Sequence, residues 1–449
     1  MADRFDVAIL GAGPAGEHAA NALAREGRSV VMIERELIGG ECTNWACIPT
    51  KTLLRPTEVH GESARAAGTE TAALDWPSLA RYRDYMTSAG DDSARVSGYG
   101  DIGVRIVKGD GRLDGTGRVV VGDQVFTAEQ ILISTGSEPV IPPIDGLREA
   151  GYWTNREATA LTEIPNSVVI IGGGPVGVEL AQFLARFGGR IAIVQGADRL
   201  AEREDERVCA LLRDGLTADG IDVHTGVQAT RVAITGDERE VTLDDGTRLR
   251  GDRVLIATGR RPRATDIGLE TIGVQPGPRG GIPVDTHCRV AEGVWAAGDC
   301  TGVMQFTHVA KYQARVAMAD MRGRPVDADY TAIPRVIFTD PEVAAVGLTA
   351  DQAKDAGHDV ATAHIELPAS IARPYTYEQD PRGELGVIAD RGRGVLLGAW
   401  AVSPLASEWI HQAVLAIRAQ VPVELLLQTV AQFPSYSEAY LSALSELSL

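Results

Sequence analysis

The chain has 449 residues, enough for two to four domains with sizeable cores, and its apolar (44%) and charged (23%) fractions are ordinary for a soluble globular protein. Acidic side chains outnumber basic ones, 61 to 43, which leaves a formal net charge of −18. Such a surface repels nucleic acid and anionic lipid, and no apolar run reaches membrane-spanning length, so neither class of partner is expected.

The start, MADRFDVAIL, lacks the basic stretch, apolar run and cleavage site of a secretory signal, and a cytoplasmic location is expected. DVAIL reads as a strand. It is followed by the turn GAGPAG, a helical stretch, and a second apolar run that ends at Glu34. This is a βαβ unit with a parallel strand pair. In Gly11-x-Gly13-x-x-Gly16 the first glycine permits a tight turn. The second lets a pyrophosphate approach the backbone, and the third lets helix and strand pack closely. The helix start turns its positive end to the phosphates, and Glu34 is placed to hold ribose hydroxyls. A glycine turn alone could be a plain connection; strand, helix and terminal acid together point to a dinucleotide.

Next comes GGECTNWACIPTK, residues 39–51, with four residues between Cys42 and Cys47. The pair reads as a redox couple, a metal site, or two neighbouring inert thiols. A close pair in a cytosolic protein is more often catalytic or metal-binding than structural. Cys209, Cys288 and Cys300 stand alone in sequence and are expected to be buried, unreactive thiols.

QILISTGSEP (130–139) reads as a buried strand ending in the turn Thr135–Gly136. A proline-rich stretch (Pro139, Pro142, Pro143) then looks like a linker. A second βαβ unit follows over 168–195, with Gly172, Gly174 and Gly177 in its turn, but it ends in Gln195 instead of an acid. A carboxylate there would hold a 2′-hydroxyl and repel a 2′-phosphate; glutamine does neither strongly. Arg199 and Arg203 lie just beyond and could pair with a phosphate, which favours NADPH over NADH unless both are solvated surface charges. RVLIATGRRP (253–262) repeats the strand and Thr-Gly turn, here with Gly259. A further strand-to-turn signal, WAAGDCTG, precedes a helix predicted over 303–322. From about residue 330 the character changes. IPRVIF, ELGVIAD and GVLLGAWAV read as antiparallel strands, and SEWIHQAVLAIRAQ and PSYSEAYLSALSEL as amphipathic helices. Two dinucleotide sites in one chain imply an electron relay between a visiting nicotinamide and a resident flavin dinucleotide.

GAGPAG, GGECTNWACIPTK, STG, GGGPVGVE, ATGRRP and AAGD occur in this order, and with the tail IPRVIFTDPEVAAVGLT the chain resembles the flavoprotein disulfide reductases. That is the family of dihydrolipoamide dehydrogenase, glutathione reductase and mercuric reductase. The resemblance covers essentially the whole chain. It implies an α/β fold with two Rossmann-like dinucleotide-binding domains, for FAD and NAD(P), and an α+β C-terminal dimerisation domain. The expected limits are 1–150 with 266–328 for FAD, 151–265 for NAD(P), and 329–449 for the dimer interface. By position, Cys47 would be the charge-transfer thiol beside the flavin and Cys42 the interchange thiol that meets substrate. Lys51 and Glu179 match the family's ion pair beside the flavin and nicotinamide rings. Asp299 matches the acid that binds the ribityl chain, and Thr135 and Gly136 match a turn lining the flavin site. A dithiol beside a flavin accepts two electrons, and a thiolate is the attacking species in exchange. A zinc site would want two more close ligands, and no second Cys/His pair is present, so no metal is expected.

Two departures matter. The family usually has glycine where this chain has Ala46, beside Trp45. Where the family ends in His-Pro-Thr-x-x-Glu, this chain reads Phe433-Pro434-Ser435-Tyr436-Ser437-Glu438. The family's histidine serves the interchange thiol across the dimer; phenylalanine cannot shuttle a proton. Acid–base assistance is typically worth ~100–10,000-fold, so ordinary dihydrolipoamide or glutathione chemistry is expected to be weak or absent. Glu438 and Tyr436 are the candidate substitutes, against the plainer readings of a leftover polar group and a packing residue. No cysteine follows Cys300, which argues against the mercuric reductases and the large thioredoxin reductases, relatives that carry an extra C-terminal pair, and leaves open a metal-ion reductase that uses only Cys42 and Cys47. His411 is expected at the dimer interface, His308 near the flavin through its backbone, and Arg373, Tyr375 and Tyr377 in a surface loop or substrate entrance.

The expected protein is thus a homodimeric, FAD-containing, NAD(P)H-dependent oxidoreductase. It would pass electrons through Cys47 and Cys42 to a small-molecule disulfide, or run in reverse on a dithiol. The alternatives are direct reduction of a quinone, dye or metal ion from the flavin, and a non-catalytic flavin redox sensor.

Overall fold

The computed structural model describes residues 3–449, which form two compact units. One comprises the chain up to Thr50, Ala80–Ile141 and Gly259–Ala328; the other comprises Lys51–Leu79, Pro142–Thr258 and Asp329–Leu449.

The first unit is built on an eight-stranded sheet. Its main path runs, in spatial order, Arg289–Ala291, Val294–Ala296, Gln124–Ile133, Asp3–Leu10, Val30–Glu34, Val104–Lys108. The strands on either side of Asp3–Leu10 pair with it in parallel. Val7, Ala8, Ile9 and Leu10 are all buried, the signature of a parallel strand covered on both faces. Helix Pro14–Arg25 starts with proline in its first turn, where the missing N–H costs nothing. It buries Ala15, Ala19 and Leu23, four residues apart, on the face that packs against helix Thr307–Met321. The small alanines allow that close helix contact, and full burial of Leu23 contributes roughly 1.5–3 kcal/mol. The linker-like prolines include a short ordered piece: Ser137–Pro139 pairs antiparallel with Arg260–Pro262.

The second unit holds a parallel sheet in the order Asp222–Thr225, Arg190–Gln195, Ser167–Ile171, Arg253–Ile256. A three-stranded antiparallel sheet (Ala229–Thr235, Glu238–Leu243, Arg248–Gly251) belongs to the same unit. So does a five-stranded antiparallel sheet in the order Pro334–Ile337, Glu342–Gly347, Val395–Ser403, Glu384–Asp390, Val360–Glu366. Alternation along Glu342–Gly347 divides this last sheet between two cores. Val343 and Ala345 face a core shared with Phe183 and Leu212. Ala344 and Val346 face the other, with Trp409 and Tyr440 from the C-terminal helices. The predicted helix over SEWIHQAVLAIRAQ is two short helices, Ala406–Trp409 and His411–Arg418, and the last begins with a 3₁₀ turn, Tyr436–Glu438.

Candidate active site

The first glycine turn sits between strand Asp3–Leu10 and helix Pro14–Arg25. Gly11 has φ +100°, in the left-handed region, and a Cβ there would strike the Ser134 carbonyl. A Cβ on Gly16 would strike the Gly11 carbonyl, whereas nothing lies within 4 Å of one on Gly13. The middle glycine therefore leaves open space at the head of the helix, with the helix dipole aimed into it. Glu34 accepts a hydrogen bond from Ala12 N–H through Oε2 (2.8 Å) and from Glu36 N–H through Oε1 (2.8 Å). Ser134 tethers the turn by donating to the Gly11 carbonyl at 2.8 Å. Thr135 donates to Arg263 O (2.6 Å), and Gly136 has φ +76°. Ser137 donates to Asp299 Oδ2 (2.6 Å). Burial pushes the Asp299 carboxyl above its ordinary range despite that bond and nearby Arg260. An open cradle, a carboxylate at the end of the second strand and a further carboxylate beyond it fit a flavin dinucleotide.

The second turn repeats the construction. Gly172 has φ +118°, a Cβ there would strike the Ala257 carbonyl, and one on Gly177 would strike the Gly172 carbonyl. Gly174 again faces open space at the head of helix Pro175–Arg186. Gln195 Oε1 accepts from Gly173 N–H at 2.8 Å, as Glu34 does from Ala12. Arg199 forms an exposed ion pair with Glu206 (3.6 Å), so its charge is partly compensated. Gly259 has φ +114° and its carbonyl accepts from Val140 N–H (3.0 Å).

The cysteine segment lies on the first turn. Gly39 N–H donates to Ala12 O (2.8 Å), and a Cβ on Gly40 would lie 2.8 Å from Gly13 Cα. Cys42 is in the short helix Gly40–Asn44, and Cys47 opens helix Cys47–Arg65. Both are dithiol sulfurs rather than a disulfide. A hydrogen bond to Cys47, then burial, pushes the Cys42 thiol up. Thr307 Oγ1 lies 3.3 Å from Cys47 Sγ. Two helix starts therefore meet at that sulfur, its own and that of Thr307–Met321, and both favour negative charge there. Thr307 was not singled out from the sequence; the predicted helix over 303–322 carried the signal, because its first turn supplies the residue. Glu41, next to Cys42, is 3.6 Å from Arg260, and Arg260 donates to Ser137 Oγ (2.8 Å). The cysteine helix is thus linked through two side chains to Asp299. Ala46 and Trp45 are half-buried.

In the second unit Lys51 Nζ and Glu179 Oε2 form an ion pair at 2.7 Å. The Glu179 side chain is almost fully buried, 4% exposed, and its other oxygen accepts from Phe338 N–H (2.9 Å). In the tail, Phe433 is 64% exposed, and Glu438 keeps one buried carboxylate oxygen without a hydrogen-bond partner. Tyr436 is buried and stacks on Trp409, with Arg373 over its ring. His411 is exposed; His308 stacks on Phe306. Burial pushes Cys209 and Cys300 up to about 11, consistent with unreactive thiols. Among the described residues no group of three or more His, Cys, Asp or Glu is arranged to hold a metal ion, and no helix is long and apolar enough to cross a membrane.

Comparison with known proteins adds the following. The family model for pyridine nucleotide-disulphide oxidoreductases matches residues 5–314, and that of their dimerisation domain matches 333–444. A mercuric reductase of Streptomyces lividans is 37% identical over 457 residues, spanning 97% of this chain and 94% of the relative. A dihydrolipoyl dehydrogenase of Bacillus subtilis (strain 168) is 32% identical over 456 residues, spanning 98% and 97%. Among solved structures, the Cu(II) complex of the HOCl-induced flavoprotein disulfide reductase RclA from Escherichia coli superposes with a TM-score of 0.87. The two are 28% identical, over 98% of this chain and 99% of that one.

Proposed function

From the premise that the chain belongs to the pyridine nucleotide-disulphide oxidoreductase family, we propose that it carries electron pairs from NAD(P)H to a small-molecule disulfide through Cys47 and Cys42. It is an oxidoreductase of the FAD- and pyridine-nucleotide-dependent type, and its dimerisation domain supports a homodimer. Bound FAD would supply two-electron acceptor chemistry between the nicotinamide and sulfur.

The rest of the reading concerns this chain's own side chains. Gly11, Gly13, Gly16 and Glu34 hold the flavin dinucleotide, with Thr135, Gly136 and Asp299 along it. Gly172, Gly174, Gly177, Gln195, Arg199 and Gly259 serve the nicotinamide dinucleotide. Lys51 and Glu179, matching the family's ion pair, would serve hydride transfer to the flavin as a charged pair. Cys42 passes its proton to Cys47 and attacks the substrate disulfide as the thiolate, forming a mixed disulfide; the first substrate thiolate takes that proton from Cys47 and leaves as a thiol. Cys47 then attacks Cys42, releasing the second thiol and closing the Cys42–Cys47 disulfide, which the next electron pair reopens. The domain limits and cytoplasmic location expected from the sequence belong to the same proposal, as does NADPH as the favoured donor: Gln195 places no negative charge against a 2′-phosphate.

The observation that carries the reading is the setting of the cysteine pair: Cys47 opens a helix with Thr307 Oγ1 3.3 Å from its sulfur, and its nearness raises the Cys42 thiol. Replacing either cysteine by serine should abolish disulfide-dependent NADPH oxidation, a loss of more than about a hundredfold, while FAD content stays unchanged. Undiminished turnover in Cys42→Ser and Cys47→Ser would move the chemistry to the flavin itself, as in a quinone or dye reductase.

A second reading rests on Phe433. Two soft thiolates can hold a thiophilic cation such as the mercuric ion without any acid to protonate a leaving group. The absent histidine would then cost nothing, and Phe433→His would raise disulfide turnover while leaving mercuric-ion-dependent NADPH oxidation unchanged.

A further inference from the structure

The turn Phe338–Pro341 joins strands Pro334–Ile337 and Glu342–Gly347 of the C-terminal sheet, yet its polar contacts reach helix Pro175–Arg186 and helix Cys47–Arg65. Phe338 N–H donates to Glu179 Oε1 at 2.9 Å. One turn further along the same helix, Gln182 accepts from Asp340 N–H (2.7 Å) and donates to Asp340 O (3.0 Å). The helix thus reads the turn with two side chains at i, i+3, as a neighbouring strand would with its backbone. The Asp340 carboxylate takes Arg65 at 2.7 Å, from the far end of the helix that carries Lys51.

The ring of Phe338 has its own contact: Lys51 Nζ lies 4.7 Å from its centroid. A lysine ammonium on a four-carbon stem is held loosely by one ion pair, particularly with the side chain 36% exposed. A ring face within ~6 Å adds a second, directional attraction. Both Glu179 oxygens are committed, one to Lys51 and one to the Phe338 peptide, so the carboxylate cannot rotate without losing a bond.

We infer that Phe338 is a positioning residue for Lys51: its ring fixes the ammonium and its N–H fixes the carboxylate of the Lys51–Glu179 pair. The C-terminal sheet thereby acts on flavin reduction, the step in which that pair takes part under the reading above, on which this inference rests.

The test uses the holoenzyme and two readouts. The rate of Lys51 acylation by acetic anhydride, followed by peptide mapping, reports how firmly the ammonium is held and needs no turnover. Anaerobic stopped-flow reduction of the flavin by NADPH reports the consequence. Phe338→Leu should raise Lys51 acylation about tenfold and slow flavin reduction by a similar factor, while Phe338→Tyr, which keeps the ring face, restores both. If the leucine variant loses flavin, Phe338→Met removes the ring with less change in bulk. Unchanged acylation in the ringless variants, or a tyrosine variant as impaired as leucine, overturns the inference. Lys51→Met separates the two levels of the argument. Normal flavin reduction in that variant sinks the role of the ion pair, whereas the acylation rates still decide whether Phe338 holds Lys51.

Discussion

The two glycine turns are copies in backbone and differ in one side chain. Gly11 and Gly172 adopt the same left-handed conformation against a carbonyl of the neighbouring strand end, and Gly16 and Gly177 press against Gly11 and Gly172 alike. Glu34 and Gln195 accept the same kind of bond, at the same 2.8 Å, from the second residue of each turn. The acid is therefore not needed to build the turn, since an amide oxygen does that equally well. What Glu34 adds is negative charge, and what Gln195 adds is an amide that can donate. Both turns share a geometry that a pyrophosphate would fit, and in the proposed reading the residue at the end of the second strand sets the preference for one dinucleotide over another.

The largest expected effect comes from breaking either copy. In Gly16→Ala a methyl meets a backbone carbonyl, and FAD binding should fall about a hundredfold, giving colourless protein. Gly177→Ala should stay yellow with full flavin content but show a comparable rise in KM for the nicotinamide. Flavin absorbance per chain and steady-state kinetics check both. Exchanging the distinguishing residue has a smaller effect. Gln195→Glu should move the NADH-to-NADPH ratio of kcat/KM at least about tenfold towards NADH, because it sets a carboxylate against the 2′-phosphate. Glu34→Gln should weaken FAD by less than about tenfold, since the amide can still accept from Ala12.

The smallest effect concerns pH and marks the first unit alone. Asp320 is buried, which raises its pKa, but hydrogen bonds from Trp295 and Arg289 hold the carboxyl below its ordinary range. A depressed folded pKa gives stability that is fully present above the unfolded pKa of about 4 and is lost as pH falls through the folded value. Asp320→Asn should therefore lower Tm by a few degrees at pH 7, with the gap to the parent closing below about pH 4.

The sequence made both turns legible because each combines a fixed glycine spacing with apolar runs on either side. It also marked the cysteine segment and the strands of the C-terminal sheet, where continuous or alternating apolar residues are local signals. Helix Cys47–Arg65 was harder to see past its first turn, since it contains Pro49 and Pro56, which argue against a helix locally. Its polar contacts within the second unit offset that cost: Lys51 to Glu179, and Arg65 to Asp340 and Glu378. The hold of Phe338 on Glu179 left no local trace at all. The two residues are 159 apart in sequence, and the contact uses a backbone N–H that every residue but proline carries. Arg199 shows the opposite failure. Its charge is visible in the sequence; its pairing with Glu206 is not.

Anaerobic titration of the purified yellow protein with NADPH tests the proposed electron path most directly. A disulfide that works in series with the flavin stores a second electron pair. Uptake of two pairs per chain, with a long-wavelength thiolate–flavin band after the first, is the predicted result. Complete bleaching after one pair, with Cys42 and Cys47 unchanged in thiol content, would contradict it.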